Sequence, residues 1–226
     1  ACFPVHEHIT DEQAAGMIVN PFTAYGLVEA AEKNGSRALI ISAAASQLAG
    51  MIRAFAADKG IRTINIVRES DQVQQLLFQD ADYAMNMRDD NFFQQLTDAI
   101  QKEGKVTAVD AVAGGFSGLL AHALPSRSEL IVYGSLSENP INNIDPRDLI
   151  FHNKRISGFA LGNWFAAQDK ESLVSAVETV QKAILTKQIQ FKVQRKIPLS
   201  RIQSALHQYI GNMSEGKILI MPQMQD

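Results

Sequence analysis

The 226-residue sequence has few of the features that mark several protein classes. It contains one cysteine, Cys2, so no intramolecular disulfide and no multi-cysteine zinc site can form, and we expect a reducing cytoplasm. No apolar run reaches the roughly 18 residues that a membrane span needs. A formal net charge of −3 gives no electrostatic case for binding nucleic acid or an anionic membrane.

What is present is an ordinary globular composition, 46% hydrophobic and 20% charged. The sequence begins Ala-Cys-Phe-Pro, with neither an initiator methionine nor a secretory signal pattern, and we expect that a segment has been removed upstream.

The first 35 residues predict two helices. Thr10, as the N-cap, and Gln13, as its capping-box partner, predict the start of the first helix. After Pro21, residues 23–32 predict a helix that stops at 34–35.

From residue 38 the pattern alternates between strand and helix. Ala38–Ile41 is typical of a strand buried on both faces, and the apolar stripe from Leu48 to Ala56 has helical spacing. The alternation predicts further strands at 63–67, 83–87, 108–112, 130–133 and 156–159, with helices at 70–78, about 91–102 and after Gly114-Gly115. We therefore expect an α/β fold, a Rossmann-type doubly wound parallel sheet covered on both faces.

The C-terminal third has a different pattern. Leu173, Val177, Val180 and Ile184 form a helical stripe, Pro198 opens another helix, and residues 217–221 predict a closing strand.

The turn after the first strand has the spacing of a dinucleotide site. A tight turn that meets a pyrophosphate closely needs small residues three apart, and Ala43, Ser46 and Ala49 supply them. Backbone N–H groups at the following helix start then face the phosphates. The turn departs from G-x-G-x-x-G, and the alternative is that its alanines only pack against the sheet.

The second strand ends in Arg68-Glu69-Ser70. NAD-binding folds place an acid here to bond the ribose 2′-hydroxyl, whereas an arginine holds a 2′-phosphate by charge-assisted hydrogen bonds. Arg68 therefore favours NADPH. A solvated Arg68, with Glu69 as the ribose acid, is the alternative.

Five segments, distributed along nearly the whole chain, carry a resemblance to one protein family: Val19–Tyr25, Arg62–Arg68, Tyr133–Ser135, Gly158–Leu161 and Gly216–Leu219. On these segments the chain resembles the medium-chain dehydrogenase/reductase superfamily. More narrowly, it is similar to the zinc-independent 2-enoyl thioester reductase and quinone oxidoreductase branch.

The resemblance implies a cofactor domain joined to a GroES-like barrel domain that supplies most of the substrate pocket. Residues 21–187 match the Rossmann NADP-binding domain. Residues 1–20 are similar to a remnant of the catalytic domain, and 188–226, with a helix and strand, to a segment that returns to it. The N-terminal part that forms most of the barrel in such enzymes has no counterpart here.

The resemblance also implies cofactor-binding residues. Asn20 and Thr23 would lie beside the nicotinamide, the 45–48 turn under the pyrophosphate, and Arg68 at the 2′-phosphate with Glu69 and Ser70 flanking it. Residues 133–136 and 159–161 would line the cofactor's far side, and Lys217 would reach the cofactor from the closing strand. The full set is Asn20, Thr23, Ala45, Ser46, Gln47, Leu48, Arg68, Glu69, Ser70, Tyr133, Gly134, Ser135, Leu136, Phe159, Ala160, Leu161 and Lys217. Gln47 and Ala49 stand where this group usually has glycine, and Ala160 replaces a bulky aromatic.

The implied chemistry is hydride transfer from NADPH to a small-molecule substrate, a quinone or an enoyl thioester. Zinc enzymes of this superfamily have a cysteine ligand where this chain has Val19 or Asn20, so we expect no metal. The proton donor of the enoyl reductases is a tyrosine of the barrel domain, and none of Tyr25, Tyr83, Tyr133 and Tyr209 matches it. We therefore assign no catalytic residue, and expect the chain to bind cofactor without turnover. Homodimerisation through the sheet edge at 155–159 is expected by analogy.

Other residues have ordinary interpretations. We expect His6, His8, His122 and His152 to lie at the surface or pack, rather than to bind metal or catalyse. Trp164 is expected to pack in the core or an interface, and Asp110 to bond backbone amides. Two further functions remain open: a non-catalytic NADPH-sensing module, and an S-adenosylmethionine methyltransferase, which Arg68 disfavours.

Overall fold

The computed structural model describes residues 3–211 and 216–224. Its strands are β1 (Ala38–Ile41), β2 (Arg62–Val67), β3 (Tyr83–Asn86), β4 (Val106–Asp110), β5 (Glu129–Val132), β6 (Arg155–Gly158), β7 (Val193–Ile197) and β8 (Lys217–Ile220). Its helices are α1 (Asp11–Gly16), α2 (Val19–Lys33), α3 (Gln47–Asp58), α4 (Ser70–Phe78), α5 (Phe92–Glu103), α6 (Gly114–Ala123), α7 (Pro146–Ile150), α8 (Leu161–Ala167), α9 (Lys170–Leu185) and α10 (Ile202–Gly211). A short 3₁₀ helix (Leu199–Arg201) precedes α10.

Six strands form one parallel sheet in the order β3-β2-β1-β4-β5-β6. In the centre, Ala38 of β1 lies opposite Arg62 of β2 on one side and Val106 of β4 on the other. The chain leaves β1 toward one end of the sheet and β4 toward the other. This is the doubly wound Rossmann arrangement, and the predicted fold class is confirmed.

Two apolar layers cover the sheet. Leu39 and Ile41 of β1 pack into a core formed with α2, α3 and α9, whereas Ala38 and Ile40 pack into a second core formed with α5 and α6. All four side chains are fully buried, because successive residues of a central parallel strand face opposite layers.

The N-terminal segment and the C-terminal strands lie outside the six-stranded sheet. Thr10 and Gln13 form the predicted capping box of α1. Phe3 stacks on Phe22 with ring centroids 5.9 Å apart, so the N-terminal segment packs on α2. β7 and β8 form a separate parallel pair. No helix within the described ranges combines the length and apolarity that a bilayer span requires.

The element bounds differ from the predictions in a few places. α2 begins at Val19 rather than at residue 23, because Pro21 occupies the first helical turn, where a missing N–H costs nothing. β4 begins at Val106 and ends at Asp110, two residues earlier than predicted, because the Asp110 carboxylate starts the turn that follows. The helices α7 and α8 and the strand β7 were not predicted.

Candidate functional site

The site lies at the carboxyl edge of the sheet, between β1 and β4. These neighbouring strands are followed by α3 and α6, which pack on opposite faces, so a crevice opens where the chain reverses. Such a crevice is where ligands bind in doubly wound sheets. The segments that follow β1, β2, β5 and β6 all emerge at this edge, and they carry most of the sequence-predicted site residues.

The turn between β1 and α3 is tight. Ala43 has a φ of +48°, an uncommon conformation for a residue with a side chain. Ala44 donates its N–H to the Ile66 carbonyl of β2 at 3.0 Å, and the Ser46 hydroxyl caps α3 by accepting from Ala49. The N–H groups of Gln47 and Leu48 have no acceptor among the described residues. These donors at the start of a 12-residue helix fit a phosphate group.

A buried carboxylate supports the floor of the crevice. Asp110 is fully buried at the end of β4 and accepts from the Ser42 hydroxyl at 2.6 Å and the Ser117 hydroxyl at 2.5 Å. It also accepts the N–H groups of Val112 at 2.8 Å and Ala113 at 3.1 Å. Asp110 thus ties together the ends of β1 and β4 and the first turn of α6. The predicted bonding to backbone amides is confirmed.

The tip of β2 presents one exposed arginine. Arg68 follows the strand, and its guanidinium has no ion-pair partner among the residues described. Glu69 instead forms an ion pair with Arg88 at 2.6 Å. The Ser70 hydroxyl accepts from the Asn86 amide at 3.1 Å. Glu69 is therefore occupied by a cation, while Arg68 remains open to a ligand.

The segment after β5 crosses close behind the crevice. Tyr133 donates its N–H to the Asp110 carbonyl at 2.9 Å, and Leu136 donates to Ala111 at 3.0 Å. A Cβ on Gly134 would lie 2.8 Å from the Ala111 carbonyl oxygen, so only glycine fits this approach. Ser135 and Leu136 are exposed at the edge.

The Tyr133 hydroxyl is buried and has no hydrogen-bond partner among the described residues. Burial raises the pKa of Tyr133 above its ordinary value, and the nearby Asp110 carboxylate raises that pKa further. The phenol therefore stays neutral near pH 7.

The segment after β6 meets the middle of α2. Phe159 donates its N–H to Val132, and its ring covers Gly26 of α2, where an added Cβ would lie 2.7 Å from the ring. Ala160 and Leu161 follow and begin α8. Asn20 and Thr23 lie in the first turns of α2, which runs toward β1 and therefore starts at the same edge as the crevice.

Gln47 connects the crevice to the C-terminal segment. Its amide donates to the Lys192 carbonyl at 3.1 Å and accepts from the Lys192 N–H at 3.3 Å. The same carbonyl accepts the N–H of Lys217, which places the start of β8 beside the start of α3. The Lys217 ammonium, however, donates to the Tyr209 hydroxyl at 2.8 Å rather than to any crevice group among the described residues.

The remaining candidate residues occupy ordinary surroundings. His6 and His8 are exposed, and no group of three or more His, Cys, Asp or Glu side chains in residues 3–211 and 216–224 could hold a metal ion. His122 is mostly exposed beside Asp148 at 3.6 Å. His152 is also exposed. The Trp164 indole packs against Phe22 and Tyr25 and donates to Glu29 at 3.0 Å, so the predicted packing role is confirmed.

Sequence reasoning missed three residues near the crevice. Ser42 and Ser117 provide hydroxyl donors to Asp110, and a serine directly after a buried strand was the available signal for Ser42. Arg53 of α3 donates to the Ala44 carbonyl at 2.7 Å, beneath the turn. The sequence feature that could have identified Arg53 is a charged residue beside the apolar stripe of α3.

No protein-family model matches the chain. A mitochondrial enoyl-[acyl-carrier-protein] reductase of Dictyostelium discoideum is 28% identical over 201 residues, which cover 85% of this chain and 56% of that protein. A solved structure of a candidate NADPH:quinone reductase from Mesorhizobium loti is 31% identical with a TM-score of 0.88, covering 98% of this chain and 64% of that one.

A third similarity concerns the fold alone. The enoyl thioester reductase Etr1p of Candida tropicalis, solved with NADP and crotonyl-CoA, has a TM-score of 0.78 at 19% identity, covering 94% of this chain and 62% of that one. A doubly wound sheet with an open crevice at its reversal point defines a nucleotide-binding class of protein. Within that class, the relatives of the chain are enoyl reductases and NADPH:quinone reductases, which are members of the medium-chain dehydrogenase/reductase superfamily. It spans a little over half the length of the curated relative.

Proposed function

We propose that this chain is the NADP(H)-binding part of a zinc-independent reductase that passes hydride to a quinone or to an activated alkene such as a 2-enoyl thioester. The observation that carries the cofactor assignment is the pair of charges at the tip of β2. Arg68 has no ion-pair partner in the described part of the chain, whereas Glu69 is held by Arg88. A 2′-phosphate would find a cation there, and a ribose hydroxyl would find Glu69 already paired with Arg88.

The rest of the crevice suits the same ligand. The unpaired N–H groups of Gln47 and Leu48 would receive the pyrophosphate at the start of α3. Tyr133 to Leu136 and Phe159 to Leu161 would line the far side, with Asn20 and Thr23 at the nicotinamide end. Lys217 would need to leave Tyr209 to reach the cofactor. The bound nicotinamide would supply the hydride, and the chain's residues would bind and orient it.

The relatives support the reaction class. The curated relative is named as an enoyl-[acyl-carrier-protein] reductase and the M. loti structure as an NADPH:quinone reductase, and Etr1p was solved with NADP and crotonyl-CoA. Val19 or Asn20 replaces the cysteine ligand of the zinc enzymes, which supports the zinc-independent branch.

The domain division supports a binding role for this chain by itself. We propose that residues 21–187 form the NADP-binding domain, and that 1–20 and 188–226 belong to the catalytic domain. The separate β7–β8 pair is consistent with a sheet that other strands would extend.

No tyrosine of the described residues is placed to act as the proton donor. Tyr25, Tyr83 and Tyr209 make contacts elsewhere, and the raised pKa of Tyr133 makes it a weak acid. We therefore propose no turnover by this chain alone.

Assembly and location are also proposed. β6 is the end strand of the sheet, and its Arg155 and Gly158 are exposed, which would allow a second copy to pair along this edge.

The location is proposed from the cysteine content. A reducing compartment of the cell suits a sequence whose single cysteine is Cys2. The cytoplasm remains our proposal, although the curated relative is named as mitochondrial.

Calorimetric titration of the chain with NADPH, NADH and S-adenosylmethionine tests the cofactor assignment. We expect NADPH to bind most tightly, because only NADPH carries the phosphate that Arg68 would pair. Tighter binding of either other ligand would overturn the assignment. If the chain binds NADPH but the full-length protein reduces neither quinones nor enoyl thioesters, the alternative function, an NADPH-sensing module, would be favoured.

A further inference from the structure

A groove of about 990 Å³ runs along the outer face of α3, away from the crevice and toward the amino ends of the strands. Its floor includes Gly50, Ala54 and Ala57 of α3. One wall is the segment 188–192, and the other is formed by the start of β2 with the turn 79–82. The groove adjoins the proposed cofactor crevice at the β1–α3 turn, where Ala45, Ser46 and Gln47 also line it.

Arg53 is the cation that α3 contributes to this groove. Its Nη1 donates to the Ala44 carbonyl at 2.7 Å and reaches the Asn65 amide oxygen at 3.4 Å. The side chain is partly buried, and desolvation lowers the pKa of Arg53 from its ordinary value. No carboxylate in the described ranges forms an ion pair with it, although Arg62 nearby is paired with Asp82 and Glu103. A partly desolvated cation without a counter-charge is costly.

Two of its donor groups remain open. Nη1 carries both hydrogen bonds, and no acceptor for Nη2 or Nε is found within residues 3–211 and 216–224. A Cβ built on Gly50 would lie 3.7 Å from Nη2, so this nitrogen sits at the groove floor. The fork of an arginine matches the oxygens of a phosphate.

Charges elsewhere in the groove favour an anion near Arg53. Lys192 lies in the adjacent wall. Asp80 and Asp82 line the opposite wall, in the turn before β3. Asp82 is paired there with Arg62 at 2.9 Å. This pairing reduces the negative charge that would oppose an anion at Arg53.

We propose that Arg53 binds a free phosphate-class oxyanion in the α3 groove, at a site separate from the dinucleotide. The site does not depend on the proposed function. The anion would supply the missing counter-charge and would accept hydrogen bonds from Nη2 and Nε of Arg53.

Phosphorus NMR of inorganic phosphate tests the proposal, with excess 2′,5′-ADP added to occupy the proposed cofactor crevice. The proteins compared are the wild-type chain, Arg53→Gln and the control Arg37→Ala, whose exposed arginine lies before β1. We expect Arg53→Gln to weaken the phosphate binding that remains by about tenfold or more, because a charge-assisted pair is lost, and Arg37→Ala to leave it unchanged.

A second variant covers the case in which Arg53→Gln does not fold. Gly50→Leu improves helix propensity and covers Nη2 without removing the charge, so it should also weaken phosphate binding. Absence of phosphate binding by the wild-type chain, or wild-type affinity in either groove variant, would overturn the proposal. Loss of all phosphate binding when 2′,5′-ADP is added would assign the anion to the cofactor crevice, and an equal loss in Arg37→Ala would show that the effect is not specific to the groove. Either result would also overturn the proposal.

Discussion

Removing the Asp110 carboxylate should destabilise the fold more than any surface change. Four donors within 3.1 Å converge on this buried group: the Ser42 and Ser117 hydroxyls and two backbone N–H groups. In Asp110→Ala these donors lose their acceptor, each at about 1–3 kcal/mol, while the cost of burying the charge disappears. We expect a net loss of about 3–5 kcal/mol in the free energy of unfolding.

Urea unfolding followed by circular dichroism measures this loss. Asp98→Ala is the matched control. Asp98 is exposed, and among the described residues its carboxylate accepts only from Gln94, one turn away at 2.8 Å, so its removal should cost under about 0.5 kcal/mol. Ser117→Ala removes one donor and should cost about 1–2 kcal/mol, which keeps the test open if Asp110→Ala does not fold. An Asp110→Ala protein within about 1 kcal/mol of wild type would refute the reasoning that this carboxylate holds the crevice floor.

Two further predictions concern packing and pH. Gly118→Ala should destabilise the fold by about 1–3 kcal/mol in the same assay, because its Cβ would lie 2.8 Å from the Asn143 carbonyl oxygen and still closer to that of Asn142. The control Gly162→Ala has open space around the added Cβ and should be neutral or stabilise the fold by up to about 1 kcal/mol. Equal effects of the two substitutions would contradict the packing argument. The hydrogen bond from the Arg147 side chain lowers the pKa of Asp145 from 3.8 to about 2. Because the folded-state pKa is depressed, this stabilisation is present above pH 3.8 and is lost as the pH falls toward about 2. In Arg147→Gln, the pKa of Asp145 should rise toward 3.8, which NMR titration of the carboxyl group measures. An unchanged pKa would contradict the assignment of the shift to Arg147.

The sheet was predictable because its signal is local. Ala38–Ile41 is apolar throughout, as a strand covered on both faces must be, and α4 lies at the predicted residues 70–78. The unpredicted elements lack such a signal. β7 reads Val-Gln-Arg-Lys-Ile with two exposed charges, and it is a strand because it pairs with β8, a contact between distant parts of the chain.

The place of a candidate residue was predictable where it depends on a single position. Arg68 stands at the tip of the second strand, as its place in the sequence indicated, and its contact with the 2′-phosphate stays a prediction. The pairing of Glu69 with Arg88 could not be predicted, because Arg88 follows the next strand and approaches only in the folded sheet. The same holds for Gln47, whose partner Lys192 lies 145 residues away.

Arg53 shows the remaining difficulty. In the sequence it is one charged residue on an amphipathic helix, which is usually solvated. Its burial beneath the β1–α3 turn follows from the contacts of Ala44 and Asn65, which belong to separate elements.

The measurement that tests the central claim most directly is the ratio of NADH to NADPH dissociation constants in Arg68→Ala and in the control Arg37→Ala. Arg37 is exposed at the opposite edge of the sheet, before β1. We predict that Arg68→Ala weakens NADPH about tenfold or more while changing NADH little, since a charge-assisted pair with the 2′-phosphate is lost. Arg37→Ala should change neither. Equal losses for both cofactors in Arg68→Ala, or none for either, would contradict the claim that Arg68 reads the phosphate.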